Sequence, residues 1–168
     1  MNIFLIGMMG SGKTSVGKLL SKYLNNTFYD LDASIEKRFN LSIKEIFSEY
    51  GEEKFREAES TMLLETENLV NSVISTGGGI VIKDTNREFL KKNRVYFLNN
   101  SMEILFERAI KKREQRPLLK DITLDKFTNI YQNRMNLYKE CANITLNAEN
   151  KSINKIVEEI SNHEKFSF

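Results

Sequence analysis

Short apolar runs alternate along the chain with segments whose apolar residues recur every three or four positions. Ile3 to Ile6 is a continuous run of the kind a buried strand shows, and Val16, Leu19, Leu20, Tyr23 and Leu24 then repeat at helical spacing. Phe28 to Leu31 predicts a second strand. Ser42, with Glu45 three residues on, is a capping-box signal for a helix through Ile46 and Phe47, and a further helix is predicted over 52–69. Ser72 to Thr76 predicts a third strand, running into Gly77-Gly78-Gly79. Asp84 to Lys92 predicts a short helix, Val95 to Leu98 a fourth strand, and Ser101 opens a helix toward Lys112. Leu124 to Tyr138 predicts a helix with Phe127, Ile130, Tyr131 and Tyr138 on one face. Ile144 to Leu146 predicts a fifth strand. Ile153, Ile156, Val157 and Ile160 mark a last amphipathic helix, with Ser152 as its N-cap.

Strands alternating with helices imply a three-layer α/β domain around a parallel sheet. Right-handed crossovers then put ligands at the carboxyl ends of the strands. A length of 168 residues fits one domain, here 1–168, with no internal repeat or low-complexity linker. The basic stretch Arg113 to Asp121, which holds the only proline, Pro117, is the best candidate for a mobile loop.

Gly7-Met8-Met9-Gly10-Ser11-Gly12-Lys13-Thr14 satisfies the phosphate-loop pattern G-x-x-x-x-G-K-[ST], after a predicted strand and opening a predicted helix. Glycines let backbone N–H groups turn inward around phosphate oxygens, and the helix N-terminus adds a favourable dipole. Lys13 is placed to reach the β- and γ-phosphates, and the Thr14 hydroxyl to bind magnesium. Residue frequencies alone give this pattern in about 1% or fewer of chains this long. A guanine-reading Asn-Lys-x-Asp is missing, since Asn150-Lys151 and Asn154-Lys155 both lack the aspartate. The third predicted strand ends in Ser75-Thr76 and glycines, not in an acid.

Asp30 and Asp32 flank Leu31 after the second predicted strand. Alternation in an extended chain would put both carboxylates on one side, facing the phosphate loop. One would then hold magnesium and the other accept a proton from an attacking hydroxyl. The alternative is a solvated turn with Asp32 capping the helix that contains Ile35. The three glycines 77–79 would let backbone approach a ligand, or form a plain turn. Arg134 shares a helix face with Phe127, Ile130 and Tyr131, so it points inward and needs an anionic partner, either a ligand or a structural carboxylate. Arg56, with acids on several sides, reads by itself as a surface ion pair. Lys111, Lys112, Arg113, Arg116 and Lys120 surround Pro117. They form either a solvated loop or, in a kinase, a lid that brings an arginine onto the transferring phosphoryl group.

Composition narrows the field further. The net charge of +2 gives no argument for nucleic acid or a membrane surface as partner. One cysteine, Cys141, forbids an internal disulfide, and one histidine, His163, leaves no His-based metal centre or Ser-His-Asp triad. The N-terminal apolar run lacks a basic flank and is broken by glycines, so no signal peptide or bilayer span is expected. A reducing cytoplasm fits, and the lack of an extended heptad or apolar surface helix makes a monomer the expectation.

With these residues assembled, the chain closely resembles the shikimate kinases over nearly its whole length. The resemblance rests on Gly7 to Thr14, Asp30-Leu-Asp32, Gly51-Glu-Glu-Lys-Phe-Arg56-Glu-Ala-Glu59, Ser75-Thr-Gly-Gly-Gly79, Arg116-Pro-Leu-Leu119 and Arg134-Met-Asn-Leu-Tyr138. It implies a five-stranded parallel sheet of order 2-3-1-4-5 and transfer of the ATP γ-phosphoryl group to the 3-hydroxyl of shikimate. It implies Asp32 as base on the substrate hydroxyls, and Asp30 with Thr14 at one Mg2+. Arg56, Arg134 and the Gly77, Gly78 and Gly79 backbone would grip the substrate carboxylate. ATP would be held by Gly10, Ser11, Gly12, Lys13, Thr14 and Ser15, with Lys151 and Arg108 toward the adenine. Arg116 would reach ATP from a lid at about 112–122, and about 32–60 would form the substrate-binding helical region. Asn133 stands where many members have Glu. The alternative reading is another small-metabolite or nucleotide kinase of this architecture, such as a gluconate kinase.

Overall fold

The computed structural model of the chain describes residues 2–111 and 123–166. Among them, β1 (Ile3–Ile6), β2 (Thr27–Asp30), β3 (Ser72–Ser75), β4 (Arg94–Asn99) and β5 (Ile144–Asn147) form one sheet in the order β2-β3-β1-β4-β5. All four pairings are parallel. The helices are α1 (Lys13–Tyr23), α2 (Leu31–Phe39), α3 (Ile43–Glu65), α4 (Asp84–Lys91), α5 (Met102–Ile110), α6 (Leu124–Cys141) and α7 (Ile153–Phe166).

Strand position explains strand composition. β1 and β3 are buried along their whole length and read as unbroken apolar or small runs, whereas edge strands β2 and β5 keep exposed or half-buried positions. Alternation along β1 divides the core in two. Phe4 and Ile6 join Ile74, Val95 and Phe97 beneath Phe89 of α4 and Phe127 and Tyr138 of α6. Ile3 and Leu5 join Val73, Tyr96 and Leu98 beneath Val16 and Leu20 of α1 and Ile156, Val157 and Ile160 of α7. The result is helix, sheet, helix. β1 lies between β3 and β4, so the chain reverses its winding direction there, and a crevice opens at the carboxyl end of β1.

Two local expectations are corrected. The segment 30–32 is not extended: Asp30 closes β2, and its carboxylate accepts from Ala33 N at 3.2 Å as the N-cap of α2. Leu31 is fully buried and Asp32 lies in the first helical turn, because capping there lets Leu31 enter the core. The helix predicted from 52 is the second half of α3, which starts at the Ser42–Glu45 capping box and breaks at Gly51 (φ 80°, ψ 171°). That break turns the face bearing Phe55, Arg56 and Glu59 inward, where all three are buried. No helix of the described residues is long and apolar enough to cross a membrane.

Candidate active site

The phosphate loop leaves β1 and enters α1 through Gly12, which caps the helix in the left-handed region (φ 94°), a conformation other residues adopt only at a cost. Lys13 is buried and folds over the loop, its Nζ donating to Gly7 O at 2.7 Å and Met8 O at 3.0 Å. Thr14 Oγ1 donates to Asp30 Oδ2 at 3.0 Å and lies 3.5 Å from Ser75 Oγ at the end of β3. Gly10, Ser11, Gly12, Lys13, Thr14 and Ser15 line a cavity of about 350 Å³ that also reaches Arg108, Lys151 and Ile153. Arg108 Nη1 donates to Gly10 O at 3.2 Å, tying α5 to the loop. Lys151 Nζ pairs with Glu159 at 2.8 Å.

Beside it lies a cavity of about 680 Å³, lined by Asp32, Arg56, Glu59, Gly77, Gly78, Gly79 and Arg134, with Phe47 and Phe55 as apolar wall. The two cavities share Met9, Thr14, Asp30, Asp32 and Gly78. The two cavities are therefore continuous at the phosphate loop.

The isolated reading of Arg56 as a surface ion pair is overturned. Arg56 is 8% exposed. Its Nη1 donates to Glu59 Oε2 at 2.7 Å and its Nη2 to Glu52 Oε1 at 3.1 Å. Burial is the largest single influence and would lower its pKa, but the charges and hydrogen bonds of Glu59 and Glu52 together outweigh it and keep the guanidinium charged. Glu59 is fully buried. Burial pushes its carboxyl above the usual range, Arg56 opposes the rise, and Asp32 adds to it. Glu59 Oε1 has no hydrogen-bond partner among the described residues.

The glycine run is needed for close approach. A Cβ on Gly77 would stand 2.8 Å from Asp32 Oδ1 and closer still to Glu59 Oε1, and one on Gly79 would lie within 2.6 Å of three guanidinium atoms of Arg56. From the other side, Arg134 Nη1 donates to Gly78 O at 3.1 Å, and the buried Tyr138 hydroxyl donates to the same oxygen. The backbone of 77–79 thus runs between two buried arginines.

The oxygens of Thr14 and Asp30 form an all-oxygen pair beside the phosphate loop, a donor set that fits magnesium. Among the described residues no group of three or more His, Cys, Asp or Glu gathers as a metal cage. Arg116 and the segment 112–122 lie outside the described residues. Glu59 and Tyr138 carried no assigned role in the sequence reading. The Arg56–Glu59 spacing of three was the available signal for the first, and the shared face with Arg134 for the second.

The family model described as Shikimate kinase matches residues 9–164. The chain belongs to the shikimate kinase family. The shikimate kinase of Dictyoglomus turgidum is 41% identical over 163 residues, covering 95% of this chain and 94% of that one. That of Sulfurihydrogenibium sp. is 41% identical over 160 residues, covering 95% of each. Among solved structures, the shikimate kinase from Acinetobacter baumannii in complex with shikimate superposes with a TM-score of 0.92 at 33% identity, covering 98% of this chain and 92% of that one. Membership makes the chain an ATP-dependent kinase and sets aside the gluconate-kinase alternative. It also matches the sheet order that the resemblance implied. A deoxyadenosine kinase from M. mycoides, at 18% identity and a TM-score of 0.67, shares the fold alone.

Proposed function

We propose that this chain transfers the γ-phosphoryl group of ATP to the 3-hydroxyl of shikimate, giving shikimate 3-phosphate and ADP. The observation that carries this reading is the pair of buried arginines, Arg56 and Arg134, on either side of residues 77–79 in a cavity continuous with the phosphate loop. Two buried guanidinium groups facing one cavity suit a carboxylate substrate, with Arg56 held charged and in place by Glu59 and Glu52 and Arg134 donating to the neutral Gly78 carbonyl. The same fold in the Acinetobacter baumannii relative is recorded in complex with shikimate.

The roles follow from position. The backbone of Gly10, Gly12 and Ser11 and the N-terminus of α1 (Lys13–Tyr23) hold the β-phosphate. Lys13 leaves its loop carbonyls to lie along the β- and γ-phosphates. Ser15 lies on the same turn, and Arg108 and Lys151 flank the adenine. Arg56, Arg134 and the Gly77 to Gly79 backbone fix the substrate by its carboxylate, which aims the 3-hydroxyl at the shared wall of the two cavities. Asp32 stands at that wall and takes the hydroxyl proton as the new O–P bond forms and the bond to the ADP oxygen breaks. Thr14 and, through water, Asp30 would hold one Mg2+, which when bound neutralises charge on the phosphate oxygens. Arg116, from a lid at 112–122, is assigned to the transferring group. Positioning and charge neutralisation supply most of the rate in such a transfer.

The same reading gives a single kinase domain over 1–168, acting as a monomer in the cytoplasm, with ATP and shikimate as its partners and neither nucleic acid nor membrane. Phosphorus NMR of the product tests the chemistry. The expected outcome is one phosphate monoester coupled to the proton on carbon 3. A phosphate on another oxygen, or on another substrate alone, would overturn the assignment.

A further inference from the structure

Gly78 O, which accepts from both Arg134 and Tyr138, is one tie between α6 and the loop that follows β3. A second tie lies further along the same loop. The loop carbonyls of Ile80, Val81 and Ile82 are all taken by two neighbouring side chains of the short helix α4. Asn86 Nδ2, buried, donates to Ile80 O at 3.0 Å. Arg87 Nη1 donates to Val81 O at 2.9 Å and Ile82 O at 3.0 Å. The Arg87 guanidinium also pairs with Asp84, and its Nε lies 3.4 Å from Glu140 Oε2 of α6. Glu140 is held in turn by Lys91 at 2.5 Å. One guanidinium therefore touches the loop, α4 and α6, and its side chain is only 15% exposed. Glu140 is six residues beyond Arg134, about 9 Å along the helix.

We propose that Arg87 is a positioning residue for substrate binding: by joining the end of the glycine loop to α6, it fixes the separation between the Gly79–Arg56 wall and Arg134. The geometry favours an arginine: Nη1 serves two carbonyls and Nη2 the Asp84 carboxylate, while Nε faces Glu140 as an ion pair, whereas a lysine presents one point charge that meets only part of the set. Arg87 lines neither cavity, so its effect reaches the substrate only through the loop and α6. With Arg87 removed, the loop and α6 remain joined through Gly78 O and, less directly, through Asn86 and the Lys91–Glu140 pair of α4, so the spacing loosens without being lost. A small displacement of Arg134 is enough to weaken a two-sided grip on a carboxylate.

The inference rests on the reading that Arg134 holds the substrate carboxylate, and steady-state kinetics separate the two. Arg87→Met is expected to raise the shikimate KM about tenfold and to leave the ATP KM within about twofold, with Arg87→Lys in between. Placed in an Arg134→Ala background, Arg87→Met is expected to add less than about twofold, since the group it positions is gone. If Arg134→Ala itself leaves the shikimate KM unchanged, the site reading fails. If Arg134→Ala raises it but Arg87→Met does not, or shifts both KM values alike, or adds fully to Arg134→Ala, Arg87 is merely structural and the proposal is overturned. Should Arg87→Met not fold, Glu140→Gln, on a half-exposed side chain, carries the same test. It removes the carboxylate that holds both Arg87 and Lys91 and is expected to raise the shikimate KM about threefold, with Lys91→Met, which keeps the Arg87–Glu140 pair, raising it less; an unchanged value in Glu140→Gln, or an equal rise in Lys91→Met, overturns the proposal.

Discussion

Arg56 Nη1 donates to Glu59 Oε2 at 2.7 Å at the wall of the larger cavity, with the two side chains only 9% and 1% exposed. A buried pair of this kind adds little net stability, because desolvation offsets most of the attraction. Its effect is geometric, since it holds a charged guanidinium against the Gly79 backbone, and under the proposed reading it presents that guanidinium to the substrate carboxylate. Glu59→Ala leaves Arg56 with the half-exposed Glu52 as its remaining ion-pair partner. Steady-state kinetics are expected to show the shikimate KM raised about tenfold, with the ATP KM within about twofold.

The same carboxyl is expected to give stability a pH dependence whose sign follows from its burial. Burial raises the Glu59 pKa, and the opposing Arg56 charge does not cancel the rise. A carboxyl with a higher pKa folded than unfolded binds more protons in the folded state. Its contribution is complete below the ordinary glutamate range, near pH ~4.3, and fades as pH rises through the folded value. Urea denaturation of the wild type and Glu59→Gln across this range is expected to show their stability difference moving in favour of Gln as pH rises. Movement the other way would mean that pairing with Arg56 outweighs burial.

At Gly79 the space for a side chain is filled by Arg56. A methyl group there would lie within 2.6 Å of three guanidinium atoms, the far end of a flexible side chain that can swing away. Gly79→Ala is therefore expected to keep its fold, with a loss of about 1 kcal/mol or less in denaturation. The shikimate KM is expected to rise about tenfold or more as Arg56 is displaced. Circular dichroism with kinetics on one preparation checks both halves.

Asp30 has two duties, capping α2 through Ala33 N and facing Thr14 Oγ1. Asparagine caps a helix about as well as aspartate, so Asp30→Asn separates them. The melting temperature is expected to change little. The Mg2+ concentration for half-maximal activity at fixed ATP is expected to rise about tenfold, since a charged oxygen ligand is lost. An unchanged magnesium titration would leave Asp30 as a cap only.

The phosphate loop was legible in the sequence because each of its residues answers to a local demand, whether a turn, a helix start or a phosphate. The sheet was legible because Ile3 to Ile6 and Val95 to Leu98 are buried on both faces and read as unbroken apolar runs. Asp30 and Asp32 were found as a pair, but their backbone was misjudged, since a cap at Asp30 and the burial of Leu31 outweighed strand continuity. Arg56 by itself looked like a surface residue. Its inward turn depends on the break at Gly51 and on where α3 packs, which a helical repeat does not encode. Arg87 was invisible for the same reason: its partners Val81, Ile82 and Glu140 meet only once α4 and α6 lie side by side.

The most direct test of the account is a coupled assay of ADP release with Mg-ATP, run with shikimate, gluconate, AMP or no acceptor. The account predicts ADP release with shikimate only, and its loss in Lys13→Ala. ADP release that shikimate does not stimulate, or that gluconate or AMP stimulates equally, would contradict it and leave the two buried arginines in need of a different anion.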